Sequence, residues 1–480
     1  MRRRTFLTQT GLGALGLALF PRTSLAAGIE WVCSTETEPW QNRGGLSVST
    51  GRGFGDAIVL LDRPQQTIDG FGACFNELGW TALSALNPAD RDGIFRELFA
   101  PGVGANFTIC RMPVGANDFS RDWYSYDEVP GDFALDHFSI ENDLRTLVPY
   151  IRSAQKYQPN LRLWASPWCP PTWMKYNKHY AASMPQPGSN VENGLRSDQV
   201  GKEGTDMFIQ EEAYFRAYAR YFGRFIDAYR EQGISISMVM PQNEFNSAQV
   251  FPSCTWTAEG LARFIGYLGP EMAQRSVAVF FGTMERPNEQ LADVSLQNPE
   301  IAKFIQGAGF QWAGKGAIPG IHRRYPDLKL YQTEQECGDG QNDWRYCRYA
   351  WRLVKHYLSN GTSVYLYWNM ALQKGGISRW GWAQNSLVTV DTEAKTFTYN
   401  AEYYLMKHVS HFVQTGARRL ETVSWSGYDN LLAFVNPDKS VVVVLQNDLC
   451  TDMPVRISIG DQVLAPILPA NSFNTVVLRG

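Results

Sequence analysis

From Thr67 onward the chain alternates short apolar or β-branched runs with longer segments of helical period, and this β-then-α order repeats eight times. The strand candidates begin with Thr67-Ile68-Asp69-Gly70-Phe71-Gly72. They continue through "NFTICRMPVG", "LRLWASPW", "ISISMVMPQNE", "SVAVFFGTM", "GAGFQW" and "LKLYQTE" to "TSVYLYWNM". Eight such units predict an α/β fold, a (β/α)8 barrel over residues 67–413. The competing architecture, a doubly wound open sheet, calls for a glycine-rich phosphate turn after the first strand, and "GFGACFNELG" lacks the Gly-x-Gly-x-x-Gly spacing.

The intervening segments carry the helical stripes that a barrel needs on its outer layer. In "EEAYFRAYARYFGRFIDAYREQG", Tyr214, Tyr218, Tyr221, Phe222, Phe225 and Tyr229 share one broad face and Gly233 stops the helix. "NDWRYCRYAWRLVKHYLSNG" repeats the arrangement with Tyr349, Leu353 and Tyr357, ending on Gly361. After Gln414 the period changes to two. "LLAFVNPDKSVVVVLQND" reads as a hairpin turning at Asn436-Pro437-Asp438, and "DMPVRISIG" and "SFNTVVL" continue a β-sandwich over 414–480. The strand-like runs of residues 27–66 are too short to fold alone and are expected to join that sandwich.

Residues 1–26 have a charged start, a Gly/Leu/Ala stretch and a small-residue site at Ser24-Leu25-Ala26, the pattern of a cleaved export signal. Arg3-Arg4 before Thr5-Phe6-Leu7 resembles a twin-arginine signal, which predicts a periplasmic or secreted bacterial protein. No later run is long enough to span a bilayer. The net charge of -3, without a long basic run, gives no reason to expect a nucleic-acid partner. Eight cysteines follow the leader. Their spacing fixes no pairing: Cys337 and Cys347 are close enough to bridge a loop, and buried free thiols fit equally well.

Residues at the carboxyl ends of barrel strands project into a common mouth, where the chemistry of this architecture sits. The fourth strand runs out as "MVMPQNEF", which puts Glu244 at the rim beside Asn243, an amide able to bind a hydroxyl. The seventh ends "LYQTEQE" and puts Glu334 at the matching height, 334 − 244 = 90 residues on, which suits three intervening βα units. Glu336 is a rival, since alternation places it on the same face. Two carboxylates across a cleft are the apparatus of glycoside hydrolysis: one protonates the leaving oxygen while the other attacks the anomeric carbon or activates water. That chemistry calls for no metal or organic cofactor.

"GFGACF", "RMPVGANDFS", "WASPWCPPTWMK", "QNEF", "YQTE" and "YWNMAL", in this order, together resemble glycoside hydrolase family 30, the glucosylceramidase-like retaining β-glycosidases. The resemblance runs from Gln66 to the C-terminus. It implies a (β/α)8 barrel with a β-sandwich built from both chain ends, and a carbohydrate or glycoconjugate substrate. It also implies Glu244 as acid/base and Glu334, after Thr333, as nucleophile. The substrate-binding positions it implies are Arg111, beneath the nucleophile, with Asp118, Trp168, Asn243, Trp312 and Trp368, the last as the floor of the sugar pocket. Asn385 is implied at the pocket edge. β-Glucosides are the implied substrates, either glucosylceramide-like or β-1,6-linked glucan.

Two departures stand out. "FQWAG" has Gln311 and Ala313 where the family commonly shows His and Tyr, and Phe245 stands where proline is usual. These leave a noncatalytic carbohydrate-binding barrel as the alternative. The insertion 179–208 is expected to overhang the mouth, and "NSAQVFPSCTW" after the fourth strand is expected to form the other wall, with Trp256 a candidate aglycone platform. Oligomeric state is not encoded legibly in the sequence.

Overall fold

The structure is a computed structural model that describes residues 28–44, 46, 48–51, 55–189 and 191–479. The export signal expected over residues 1–26 lies outside the described residues. The eight expected strands are present as β1 (Gly70–Cys74), β2 (Ile109–Pro113), β3 (Arg162–Ser166), β4 (Ile236–Val239), β5 (Ala278–Met284), β6 (Ile305–Phe310), β7 (Lys329–Gln332) and β8 (Thr362–Asn369). All neighbours pair in parallel and β8 pairs with β1, so the sheet closes. β2 and β8 are buried along their whole length, as strands covered on both faces must be, which explains why they read as near-continuous apolar runs.

The aromatic helix spans Glu212–Glu231, and its Tyr218, Tyr221, Phe222, Phe225 and Tyr229 are buried against the barrel. Tyr214 lies at the edge of that stripe, half-buried, edge-to-face with Phe133. Each such helix buries a single apolar stripe, and the summed burial of these large rings holds the outer layer to the sheet, at ~25 cal/mol per Å² of apolar surface.

Strands from both chain ends form the second unit. Ile29–Ser34 pairs antiparallel with Ser472–Leu478, and Ala57–Thr67 pairs with Arg418–Ser424, in one ten-stranded sheet. The hairpin Leu431–Val435 to Val441–Asn447 has Leu431 opposite Leu445 and Val435 opposite Val441. Alternate residues of these strands, among them Val59, Leu420, Ala433, Val443 and Val476, close over a core separate from that of the barrel. His408 ties the two units together: its ring nitrogens meet Thr475 Oγ1 at 2.9 Å and Ser34 Oγ at 2.8 Å. All eight cysteines are free thiols, and only Cys450 is exposed. No helix among the described residues is long and apolar enough to cross a membrane.

Candidate active site

The chain continues past β4 in extended form. Met240 N–H donates to Ala165 at 3.0 Å and Asn243 N–H to Pro167 at 2.7 Å, which carries Gln242, Asn243 and Glu244 to the barrel rim. There the backbone turns sharply, with Glu244 at φ 41°. A left-handed glutamate costs about 1–2 kcal/mol and persists only where its surroundings enforce it. Here Glu244 N–H donates to Thr283 Oγ1 at 2.8 Å and Glu244 C=O accepts from Ser247 N–H at 2.8 Å. Phe245 then points away from the mouth and packs edge-on against Phe281.

β7 delivers Glu334 to the same cavity, where Arg111 from β2 meets it. The Arg111 side chain is 0% exposed and donates from Nη1 to Glu334 Oε2 at 2.7 Å, and from Nη2 to Asn243 Oδ1 and Ser166 Oγ at 2.7 and 2.8 Å. Its guanidinium carbon lies 4.4 Å from the Trp168 ring centre, 4.9 Å from Trp164 and 5.4 Å from Trp368. The cation is thus held by ring faces and by acceptors at once. Trp312, itself left-handed at φ 46°, donates its indole N–H to Glu334 Oε1 at 3.3 Å. Glu334 therefore has a donor on each oxygen although Ala313 offers no phenol.

Gln311 links Glu244 to the guanidinium that binds Glu334. Its Nε2 donates to Glu244 Oε1 at 3.0 Å and to Asn243 Oδ1 at 3.2 Å, while its Oε1 accepts from Thr333 Oγ1 at 2.7 Å and Arg111 Nη1 at 3.4 Å. Burial raises the affinity of both carboxylates for protons. Glu334 is pushed up to about 7 by burial, against the pull of Arg111, with the charge of Glu244 adding to the rise. Glu244 is raised by burial, with Gln311 and Arg111 opposing. Direct pairing with a cation favours the charge on Glu334, whereas Glu244 receives only amide donors, Gln311 and, at 3.4 Å, Gln249. This asymmetry favours the charge on Glu334 over a charge on Glu244.

The cavity between them encloses about 320 Å³ and is lined by Asp118, Trp168, Asn243, Glu244, Trp312 and Glu334. Of the remaining expected positions, Arg111 lies beneath Glu334, and Trp368 is only 1% exposed, stacked under Trp168 with ring centres 5.3 Å apart. Asp118 Oδ1 is buried without a partner among the described residues. Burial first, then the charges of Glu334 and Glu244, push its carboxyl well above the usual range.

Three expectations are corrected. Asn385 is not at the pocket edge: it is 0% exposed, and its Oδ1 accepts from Gly340 and Asn342 N–H at 2.9 and 3.0 Å while its Nδ2 donates to Glu402. It folds the 338–342 loop, and the neighbouring Gln384 reaches the cavity instead. A chain of amides holds Gln384 there, from Asn117 to Asn76 to Asn369 to Gln384, with links of 2.7, 2.9 and 2.9 Å. Trp256 is no platform, being 0% exposed and stacked on Phe208 at 4.6 Å. Glu336 is turned aside, ion-paired with Lys315 at 2.7 Å and bonded to Tyr349 Oη at 2.6 Å.

The segment expected as a wall after β4 contributes Ser247, Gln249 and Phe251 to the cavity, whereas Trp382, Glu285 and Arg286 were not anticipated. Trp382, 40% exposed, faces Trp312 and Phe251 across 6.4 and 6.5 Å between ring centres. Ser247, Gln249, Glu285 and Arg286 also line the cavity. The insertion 179–208 braces this side, because its Glu203 holds Arg286 through two bonds of 3.0 and 3.2 Å. Lys175 pins the insertion's root, donating from a fully buried position to the carbonyls of His179, Tyr180 and Ser253 at 2.5, 3.1 and 2.7 Å.

Comparison with known proteins places this geometry. The family models described as the glycosyl hydrolase family 30 TIM-barrel domain and the glycosyl hydrolase family 30 beta sandwich domain match residues 68–413 and 416–476. The lysosomal acid glucosylceramidase of Mus musculus is 29% identical over 457 residues, covering 88% of this chain and 84% of the relative. The endo-1,6-beta-D-glucanase neg1 of Aspergillus fumigatus is 27% identical over 440 residues, 86% and 85% of the two chains. Among solved structures, SrfJ from Salmonella typhimurium superposes with a TM-score of 0.83 at 23% identity, over 94% of this chain and 99% of that one. The endo-beta1,6-glucanase BT3312 gives 0.77 at 22% identity, over 94% and 100%.

Proposed function

The chain belongs to glycosyl hydrolase family 30, the retaining glycosidases, and from that premise we propose that Glu334 is the nucleophile and Glu244 the acid/base in hydrolysis of β-glucosides. The observation that carries the assignment is the asymmetry of the pair: Glu334 lies on a buried guanidinium and Glu244 on neutral amides. In the first step Glu334 attacks the anomeric carbon while Glu244 gives its proton to the departing oxygen. As the Glu334 charge is consumed by the new bond, the repulsion that kept Glu244 protonated disappears. Glu244 can then take the proton of the water that releases the sugar.

Asp118 and Gln384 offer polar atoms to the glycone hydroxyls, and Trp168 and Trp312 offer ring faces. The outer wall supports a sugar as aglycone in preference to ceramide. A cavity lined by Trp382 together with Gln249, Glu285 and Arg286 offers both a ring face and polar groups to a pyranose, whereas an alkyl chain would desolvate those polar groups without pairing them. The basic, Gly/Leu/Ala-rich start of the sequence supports an exported enzyme.

The test uses purified protein with an aryl β-glucoside, a β-1,6-linked glucosyl disaccharide and an alkyl-chain β-glucoside. Product anomers are followed by NMR, and the covalent intermediate is trapped with a 2-fluoro-glucoside. The expected results are retained configuration, a sugar adduct on Glu334, and a preference for the disaccharide over the alkyl glucoside. An adduct on Glu336, or none with any of the three substrates turned over, would overturn the assignment.

A further inference from the structure

Gln311 bonds Glu244 directly and three of the groups that surround the acid pair, more than any chemical step requires. It sits at the end of β6, fully buried, and meets Glu244, Asn243, Thr333 and Arg111 together. Its orientation is fixed by its partners. Arg111 can only donate, so Oε1 must face it; the Glu244 carboxylate and Asn243 Oδ1, which already accepts from Arg111, require the amide hydrogens. The flipped amide would set donor against donor and acceptor against acceptor.

We infer that Gln311 is a positioning residue for the acid/base, an uncharged clamp that aims the Glu244 carboxyl at the departing oxygen and fixes its distance from Arg111 and Glu334. The inference rests on the roles proposed above for the two glutamates. Glu244 has few other tethers: Gln249, at 3.4 Å, is the only other side chain that donates to its carboxylate among the described residues. Its charged surroundings come from several elements, with Arg111 on β2, Asp118 after β2, Glu285 and Arg286 after β5, and Glu334 after β7. An amide adds no charge to that set at any working pH, whereas an imidazole at the same place would ionise between the two acids. A donor to a carboxylate stabilises its charged form, so the amide also draws Glu244 downward against the rise caused by burial.

The experiment compares wild type, Gln311→Leu, Gln311→His and Glu244→Gln on two substrates, a dinitrophenyl β-glucoside, whose leaving group needs little protonation, and an alkyl β-glucoside, whose leaving group needs it fully. For Gln311→Leu the ratio of kcat/KM on the alkyl glucoside to that on the dinitrophenyl glucoside should fall by about tenfold, the scale of one lost hydrogen bond to a charged group. The basic limb of its kcat/KM profile should move to higher pH. A purely structural role would lower both substrates together and leave the limb in place, and that result overturns the inference. Gln311→His covers the case in which the leucine variant fails to fold. It should add a third ionisation and move the carboxylate limbs downward below the pH at which the imidazole loses its proton; a wild-type profile in this variant likewise overturns the inference. Glu244→Gln separates the two levels. If it spares the alkyl-to-dinitrophenyl ratio, the acid/base assignment itself fails and the clamp with it. If it lowers the ratio while Gln311→Leu does not, only the clamp fails.

Discussion

Replacing Arg111 with methionine should convert the buried pair at the barrel centre into a lone buried carboxylate, with a cost that depends on pH. Arg111 and Glu334 are 0% and 8% exposed at the side chain, with 2.7 Å between Nη1 and Oε2. Removing one member of such a pair costs about 3–5 kcal/mol, mostly because the partner charge is left without compensation. Two contributions can be separated. Asn243 Oδ1, Ser166 Oγ and the Thr333 carbonyl lose a donor at every pH. The Glu334 contribution does depend on pH, and its sign follows from linkage. Burial already lifts Glu334 from an ordinary 4.5 to about 7, and Arg111 opposes that rise, so Arg111→Met lifts it further. A carboxyl raised in the folded state is fully compatible with folding below its unfolded value. It drains stability as pH climbs from there through the folded value. The variant should therefore lie close to wild type at about pH 5, apart from the lost hydrogen bonds. At about pH 8 it should fall away by up to a further ~1.4 kcal/mol, since wild-type Glu334, lifted to about 7, is itself ionised there and only the last pH unit separates the two proteins. Denaturant melts at both pH values measure the difference. Adding Glu334→Gln to Arg111→Met removes the stranded charge and should restore the pH-dependent part of the loss at about pH 8. A destabilisation equal at both pH values, or a double variant no more stable than Arg111→Met, refutes the claim that the guanidinium acts by compensating this carboxylate.

The remaining expectations are more local. Trp382→Ala should raise KM for a β-glucosyl disaccharide by roughly fivefold, the worth of one ring face, and an unchanged KM would remove Trp382 from the aglycone wall. Lys175→Met takes the side-chain donor from the carbonyls of His179, Tyr180 and Ser253, of which the buried Ser253 carbonyl costs about 1–3 kcal/mol when left unpaired, so residues 179–208 should become the first site of limited proteolysis.

What the sequence made legible follows from where the information resides. β8 announces itself because every residue from Thr362 to Asn369 is buried, so each position had to be apolar or internally bonded, and a run of that kind survives reading one residue at a time. Glu244 and Glu334 were legible for a related reason: a carboxylate closing an apolar strand is a local contradiction, and a barrel mouth is where such contradictions collect. Asn385 misled because an amide beside a pocket motif looks the same whether it faces a ligand or folds the 338–342 loop, and only the donors at Gly340 and Asn342 decide. Trp256 misled similarly, since a tryptophan on a rim and one stacked on Phe208 carry the same letter. The part of the outer wall beyond the segment after β4 was hidden by distance along the chain. Glu203 meets Arg286 across 83 residues, and Gln311 meets Glu244 across 67, so neither contact leaves a period in its own neighbourhood. The elements that position the acids are encoded locally, whereas the groups that tune them and shape the aglycone side are encoded by which loops happen to meet. Substitutions along the strands should accordingly act mainly on folding, and substitutions at Gln311, Glu285 and Trp382 on which leaving groups and which pH range the same barrel accepts.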